Sequence, residues 1–222
     1  MVNYAHLIPL FPFLAFTVNI LFGRKIKKLS ALVSIAGSAA ALLFSILTCL
    51  GYLEGKGSYS IVKWLEFNGL SLNFGVLVDP LTCTMLLVVT TVGTLIQIYS
   101  LGHIHDDPRF SRFFAYISLF TASMLGLVLA DNLLMLFIFW EGVGLCSYLL
   151  ISFWFERISA ARAGMKAFIT NRIGDVGFLI GILILFSATH TFSFSGLKLA
   201  SGNYTLFTIA ALLIFSGAVG KS

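Results

Sequence analysis

The chain has 222 residues, of which 59% are hydrophobic and only 10% are charged. Because a soluble domain is usually nearer roughly a quarter charged, this composition excludes an ordinary soluble protein. The net charge of +5 does not indicate nucleic-acid binding, since the basic residues are not interleaved with aromatic side chains that could stack on bases.

Long apolar runs predict seven transmembrane helices, so the predicted fold class is an all-α membrane protein. The run from Phe113 to Ala130 contains no charged residue, and the run from Leu133 to Phe155 contains one, Glu141. Such runs match the ~20 residues that a helix needs to cross a bilayer, where lipid offers no partner for an open backbone. The predicted spans are 4–23, 30–51, 77–101, 113–130, 133–155, 167–189 and 204–222.

The loop between the second and third predicted spans has the pattern of a β-hairpin. Apolar residues from Leu70 to Val76 alternate with polar or small ones, which is the period of a strand. Asn68-Gly69 comes directly before this segment, and the run Trp64–Phe67 comes before that. Because Asn-Gly between two β-favourable runs is a strong hairpin signal, we predict a small β-hairpin in this outer loop.

The basic residues predict the orientation of the chain. With the amino terminus outside, nine lysines and arginines fall in cytoplasmic segments and three in outer loops. Since cytoplasmic loops carry the excess of basic residues, we predict an outside amino terminus. The cytoplasmic set is Arg24, Lys25, Lys27, Lys28, Arg109, Arg112, Arg157, Arg162 and Lys166, and the outer set is Lys56, Lys63 and Lys198.

Glu141 is the clearest charge inside an apolar span. It lies eight residues into the span, which is about 12 Å along a helix. A charge near the bilayer centre costs about 2.5–3.5 kcal/mol, so such carboxylates usually mark an ion or proton path. Gly142 and Gly144 would let water or another helix approach closely. The alternative is a static hydrogen bond from protonated Glu141 to a neighbouring helix.

Three further charges lie in apolar segments. Arg172 and Asp175 are three residues apart on one helix face, where they could neutralise each other. Because they lie near the predicted start of the sixth span, snorkelling or a static ion pair is the alternative to a functional role. Lys221 follows the small-residue stretch 216–220, and membrane helices tend to bend or break at such stretches and line ion sites there. An ordinary anchoring lysine is the alternative.

The sequence has no recognisable cofactor site. It lacks a phosphate-binding glycine loop, a dinucleotide fingerprint, a set of iron–sulfur cysteines and a catalytic triad. His103 and His105 lie beside two aspartates, but no further ligands cluster with them, so we interpret the segment as a solvated turn. We therefore predict no metal site, no bound cofactor and no redox chemistry in this chain itself.

Several long motifs occur in order along the chain. The central motif runs from Ala-Asp-Asn-Leu-Leu at 130–134 into Trp-Glu-Gly-Val-Gly-Leu-Cys-Ser-Tyr-Leu-Leu at 140–150. The others lie at 111–116, 166–168, 171–176 and 217–222. Together they closely resemble the antiporter-like subunit L of the proton-pumping NADH:quinone oxidoreductase, respiratory complex I.

This resemblance implies roles for the intramembrane charges. It makes Glu141 the key carboxylate, and it places Lys221 at the break of a discontinuous helix, paired with Glu141. Asp175 is also counted among the functional residues, with Arg172 beside it. A relay follows as a hypothesis: separating Glu141 from Lys221 lets the lysine release its proton, and re-forming the pair favours reloading.

The resemblance also implies the setting of the chain. Its partners would be other membrane subunits of complex I, especially homologous antiporter-like subunits, while flavin, iron–sulfur clusters and quinone belong to partner subunits. The membrane would be the inner membrane of a prokaryote, or else of an organelle. Residues 1–112 would form three helices with the hairpin, and 113–222 the first part of the antiporter-like repeat. Because the family has a second inverted repeat and a lateral helix, we expect a truncated gene, an incomplete fragment or a split subunit.

Two other hypotheses stay open. The chain could belong to a multisubunit cation/proton antiporter, or to a related membrane-bound hydrogenase or reductase. The Gly142–Cys146 motif and the Asn171–Asp175 motif favour the complex I type. A hypothesis of another class is a structural membrane scaffold with static charges, which predicts that neutralising Glu141 changes assembly but leaves proton movement intact.

Overall fold

The computed structural model describes the backbone of residues 2–26, 28–54, 60–67, 70–199 and 204–222, and the side chains of 4–26, 28–54, 74–198 and 204–222. Lys27, Lys56, the Asn68-Gly69 turn and the side chain of Lys63 therefore lie outside the described residues. The elements are a 3-10 helix (Val2–Leu7), α1 (Leu10–Ile26), α2 (Leu29–Leu53), β1 (Ser60–Phe67), β2 (Leu70–Val76), α3 (Pro80–His103), α4 (Phe110–Val128), α5 (Leu133–Ile151), α6 (Ile158–Thr189), α7 (Phe194–Leu199) and α8 (Tyr204–Lys221).

Within the described residues, seven helices are long and apolar enough to cross a bilayer. They are α1 with the turn before it, α2 to α6, and α8. Each coincides with one of the seven predicted spans, so the predicted all-α membrane fold is confirmed.

The two strands of the predicted β-hairpin are confirmed, and its outer location stays a prediction. Strands β1 and β2 pair with each other as a two-stranded sheet. The predicted turn between them lies outside the described residues.

Helix α6 begins earlier than the sequence predicts. It starts at Ile158 instead of residue 167 and has 32 residues, which makes it about 48 Å long and longer than the ~30 Å of hydrocarbon. The added turns contain Ala, Arg, Met and Lys, which favour helix. They lie outside the predicted span because Arg162 and Lys166 interrupt the apolar run. Arg172 and Asp175 therefore lie in the middle of α6.

The chain divides into two compact units. The first contains residues 1–60 and 76–129, in which α2 packs against α1, α3 and α4, and α1 also packs against α4. It has one apolar cluster around Ala41, Leu86 and Leu125 and another around Ala31 and Phe114.

The second unit contains residues 61–75 and 130–222, and α6 packs against both α5 and α8 in it. Glycines let α6 and α8 approach closely. A Cβ on Gly174 would lie 2.9 Å from the Ser216 carbonyl oxygen, and one on Gly181 would lie 2.6 Å from the Ala210 carbonyl oxygen. The predicted division at residue 113 follows the family repeat and stays a prediction.

The small-residue stretch 216–220 lies within α8, which is helical from Tyr204 to Lys221. The placement of Lys221 at the break of a discontinuous helix stays a prediction. A Cβ on Gly217 would lie 2.8 Å from the Phe178 ring, and one on Gly220 would lie 3.1 Å from the Cα of Gly174. These small residues therefore serve close helix packing.

Candidate functional site

The start of α5 is fixed by two polar residues. The Asn132 side chain accepts a hydrogen bond from the Met135 N–H at 2.8 Å, which is the preferred cap of a helix amino terminus. The buried Asp131 carboxylate accepts one from the Gly75 N–H at 3.2 Å and one from the Asn132 amide at 2.6 Å. These contacts set where α5 begins, and therefore how far along α5 Glu141 lies.

Glu141 on α5 forms an ion pair with Arg172 on α6. Arg172 Nη1 also lies 4.0 Å from Asp175 Oδ2, and its guanidinium carbon lies 4.6 Å from the centre of the Phe168 ring. The side chains of Glu141 and Arg172 are 25% and 36% exposed, whereas that of Asp175 is 4% exposed. Arg172 thus stands between two carboxylates, one partly accessible and one enclosed.

Trp140 holds the enclosed carboxylate. Its indole N–H donates to Asp175 Oδ1 at 2.6 Å, and its ring meets that of Phe178 edge-on at 5.3 Å between centres. Within the described part of the chain, Asp175 Oδ2 has no hydrogen-bond donor. Asp175 is therefore anchored on one oxygen and faces Arg172 with the other.

Lys221 on α8 reaches the same tryptophan from another side. Its ammonium group donates to the Trp140 carbonyl oxygen and lies 4.2 Å from the centre of the Trp140 ring. A Cβ on Gly144 would lie 3.4 Å from Lys221 Nζ, so this glycine leaves room for the lysine beside α5. The close approach of α8 to α6 places Lys221 within this reach.

All four predicted site residues thus gather around Trp140, although three helices supply them. The Glu141–Lys221 pair that the resemblance implies is not among the ion pairs of the described residues; Glu141 contacts Arg172, and Lys221 contacts Trp140. Trp140 itself was missed as a site residue. A buried indole N–H usually has a partner, but the sequence could not say which one.

The histidines of the 103–107 segment belong to the first unit. His105 Nε2 lies 2.9 Å from Lys28 Nζ, and its Nδ1 lies 2.8 Å from Asp106 Oδ1. Among the described residues, no group of three or more His, Cys, Asp or Glu could hold a metal ion.

Two protein-family models match the chain. Residues 64–114 match the model described as NADH-Ubiquinone oxidoreductase (complex I), chain 5 N-terminus. Residues 130–222, which contain the whole Trp140 cluster, match the model described as NADH:quinone oxidoreductase/Mrp antiporter, TM. Together the two matches support the complex I chain 5/Mrp antiporter-like subunit family for this chain.

Curated relatives of this antiporter-like chain include the chloroplastic NAD(P)H-quinone oxidoreductase subunit 5 of Lolium perenne and of Lemna minor. The first is 44% identical over 237 residues, covering 99% of this chain and 32% of the relative. The second is 45% identical over 235 residues, covering 99% of this chain and 32% of the relative. The chain therefore spans about a third of the length of these relatives.

Two solved structures share the fold of this antiporter-like chain. A chain of the membrane-bound sulfane sulfur reductase, an archaeal respiratory membrane complex, matches with a TM-score of 0.82 at 19% identity, covering 97% of this chain and 44% of that one. A chain of the Mrp complex from Dietzia sp. DQ12-45-1b matches with a TM-score of 0.79 at 22% identity, covering 98% of this chain and 24% of that one. Identities this low establish the likeness of fold alone.

Proposed function

We propose that this chain forms part of a proton-translocating membrane subunit of an NAD(P)H-quinone oxidoreductase. The observation that carries the proposal is the cluster around Trp140, where Glu141, Arg172, Asp175 and Lys221 meet from three apolar helices. Four ionisable groups inside spans are expensive to maintain, and such groups typically mark a proton or ion path. The matched family and its NAD(P)H-quinone oxidoreductase relatives support protons as the cargo.

Arg172 acts as a movable cation in the proposed relay. Arg172 pairs with Glu141, and its Nη1 lies 4.0 Å from Asp175 Oδ2. A small rotation of the Arg172 side chain therefore replaces its contact with Glu141 by a contact with Asp175. When Arg172 moves to Asp175, Glu141 loses its cation and can take up a proton or pair with Lys221. Return of Arg172 to Glu141 displaces Lys221, which then releases its proton.

The proposed relay requires a conformational or electrostatic change that originates elsewhere in the complex. This chain would contribute no redox chemistry, and electrons would pass through flavin, iron–sulfur clusters and quinone in partner subunits. Other antiporter-like membrane subunits would be its neighbours in the bilayer. As a subunit of such a translocase it would act as part of an enzyme and not as one alone.

The proposed orientation puts the amino terminus on the outer side of the membrane. The prokaryotic inner membrane is the proposed location, and the chloroplastic relatives support an organellar membrane as the alternative. In sealed vesicles with the cytoplasmic face inside, a cysteine at Asp106, whose side chain is 97% exposed, should react with an impermeant maleimide only after the vesicles are opened, because three spans separate it from an outer amino terminus. Labelling of the Asp106→Cys variant in the intact vesicles would refute the proposed orientation.

A second candidate function is a subunit of a cation/proton antiporter, favoured by the likeness to the Mrp complex. The two differ in what drives ion movement. Proton uptake by vesicles on addition of NAD(P)H and quinone supports the oxidoreductase, whereas proton movement driven by a sodium gradient alone supports the antiporter.

The experiment that tests the proposed function compares Glu141→Gln with Glu156→Gln, a change at an exposed carboxylate between α5 and α6. Each variant is placed in the source organism's complex, and assembly is measured on native gels beside NAD(P)H-driven acidification of vesicles. We expect Glu141→Gln to assemble and lose most acidification, and Glu156→Gln to match the parent. A scaffold would instead lose assembly and keep full acidification per assembled complex.

A further inference from the structure

Asn171 lies on α6 directly before Arg172, and its half-buried side chain contacts α8. Its amide group faces two backbone carbonyl oxygens, that of Ala167 in its own helix at 3.3 Å and that of Gly220 on α8 at 3.0 Å. Because a carbonyl oxygen only accepts hydrogen bonds, the amide nitrogen is the atom that faces both oxygens, and it donates to each. Asn171 therefore forms a hydrogen bond from α6 to the last turn of α8.

The last turn of α8 lies against the backbone of α6 around this hydrogen bond. A Cβ on Gly220 would lie 3.1 Å from the Cα of Gly174 and 3.2 Å from the carbonyl oxygen of Thr170. Side chains form the ridges that fix how two helices interlock, and glycines carry none. A directed hydrogen bond from Asn171 therefore fixes the position of α8 along α6 where glycine packing alone would not.

The hydrogen bond joins the residues that directly precede the two cations of the candidate site. Asn171 is followed by Arg172, and Gly220 is followed by Lys221. Lys221 reaches the carbonyl oxygen and the ring of Trp140 from α8, so the place of its ammonium group depends on the place of the last turn of α8. Like charges on Arg172 and Lys221 repel each other, and this repulsion acts to separate the two turns.

A second polar contact between α6 and α8 gives a comparison. Ser216 Oγ lies 3.4 Å from the Gly174 carbonyl oxygen, but it also lies 2.6 Å from the Leu213 carbonyl oxygen of its own helix. A hydroxyl has one proton to donate, and the shorter contact takes it. Of these two contacts, the bond from Asn171 to Gly220 is therefore the one that ties the helices together.

We propose that Asn171 is a positioning residue of the relay. It holds the last turn of α8 on α6, so that Lys221 stays at Trp140 while Arg172 moves between its two carboxylates. This inference rests on the proposed function, because it assigns Asn171 a role within that relay. Without the amide bond, the last turn of α8 can slide along α6, and Lys221 no longer meets Trp140 in every cycle.

The number of protons moved per electron pair, measured in the assembled complex for Asn171→Leu and Asn171→Gln, tests this proposal. Asn171→Leu keeps a side chain of similar size but removes the donor, and we expect the ratio to fall most of the way to that of Lys221→Met. Asn171→Gln keeps the amide and should restore most of the parental ratio. Ser216→Ala is the matched control on the same helix contact, because the Ser216 hydroxyl donates within its own helix. We expect this control to keep the parental ratio.

The results separate the positioning role from the proposed function. An unchanged ratio in assembled Lys221→Met complex would refute the proposed function and this inference with it. A lowered ratio in Lys221→Met beside a parental ratio in Asn171→Leu would overturn the positioning role alone. Equal losses in Asn171→Leu and Asn171→Gln would also overturn it, because side-chain shape and not the amide donor would then decide the ratio.

A second measurement uses the unchanged protein, in case Asn171→Leu fails to assemble. Solid-state NMR of the complex in bilayers, with ¹⁵N in the asparagine side chains and ¹³C in the glycine carbonyls of this subunit, detects magnetisation transferred across a hydrogen bond. We expect transfer from the Asn171 amide nitrogen to the Gly220 carbonyl carbon, and we expect it to persist in Ser216→Ala. Absence of this transfer overturns the proposal.

Discussion

The indole N–H of Trp140 donates a hydrogen bond to the buried carboxylate of Asp175 at 2.6 Å, and this bond ties α5 to α6 inside the candidate site. The ammonium group of Lys221 contacts both the carbonyl oxygen and the ring face of the same tryptophan. One residue therefore contacts both Asp175 and Lys221, which lie on different helices. A shift of the tryptophan would alter the surroundings of both groups at once.

Replacing Trp140 with Phe should lower proton translocation by about 10-fold while the complex still assembles. The change keeps an aromatic face for Lys221 but removes the donor to Asp175, and a hydrogen bond to a charged group is worth about 1.5–3 kcal/mol. The measurement is NAD(P)H-driven acidification per assembled complex. Trp154→Phe is the control, since Trp154 is 38% exposed and lies beyond the end of α5. Equal acidification by the Trp140→Phe variant and the parent would show that the indole bond has no part in the relay.

Replacing Gly181 with Ala should loosen the contact of α6 with α8. The new Cβ would lie 2.6 Å from the Ala210 carbonyl oxygen, and this backbone atom cannot rotate away. Forced overpacking costs about 1–3 kcal/mol, so we expect a lower thermal midpoint of the subunit in detergent.

Gly102→Ala is the matched control for Gly181→Ala, because a Cβ at Gly102 meets no described atom within 4 Å. Alanine favours helix over glycine by about 0.5–1 kcal/mol, so this control should hold or raise the midpoint. If Gly181→Ala and Gly102→Ala had the same effect on the thermal midpoint, the close packing of α6 against α8 would be contradicted.

Replacing Asp131 with Ala should destabilise the fold by about 1–3 kcal/mol, because the buried N–H of Gly75 and the Asn132 amide each lose an acceptor. Asp106→Ala changes an aspartate whose side chain is 97% exposed, and it should change stability by less than about 0.5 kcal/mol. Chemical denaturation in mixed micelles measures both. Equal midpoints for the two variants would contradict the anchoring role of Asp131.

The transmembrane helices and the hairpin strands were predictable because their signals are local. A run such as Phe113–Ala130 is long and uncharged, which few structures other than a spanning helix can accommodate, and alternation before Val76 is a strand period. The start of α6 was less predictable from the sequence. Arg162 and Lys166 lower the local hydropathy, although both residues favour helix. Hydropathy measures burial in lipid and not helix formation, so the boundary was placed too late.

The candidate site was predictable in its members but not in its pairing. Glu141, Arg172, Asp175 and Lys221 stand out because charge inside an apolar span is rare. Which of them touch depends on helix rotation and on the depth of close packing between α6 and α8, and sequence spacing does not contain either quantity. The role of Trp140 was hidden for the same reason, since its partners lie far away along the chain.

The central claim is that the Trp140 cluster moves protons, and the most direct test is the number of protons moved per electron pair. The comparison sets Lys221→Met against Lys198→Met, an exposed lysine on α7 outside the cluster, in the assembled complex in sealed vesicles. We predict that Lys221→Met lowers the proton-to-electron ratio while native gels show intact complex, and that Lys198→Met keeps the parental ratio. An unchanged ratio in assembled Lys221→Met complex would contradict the relay.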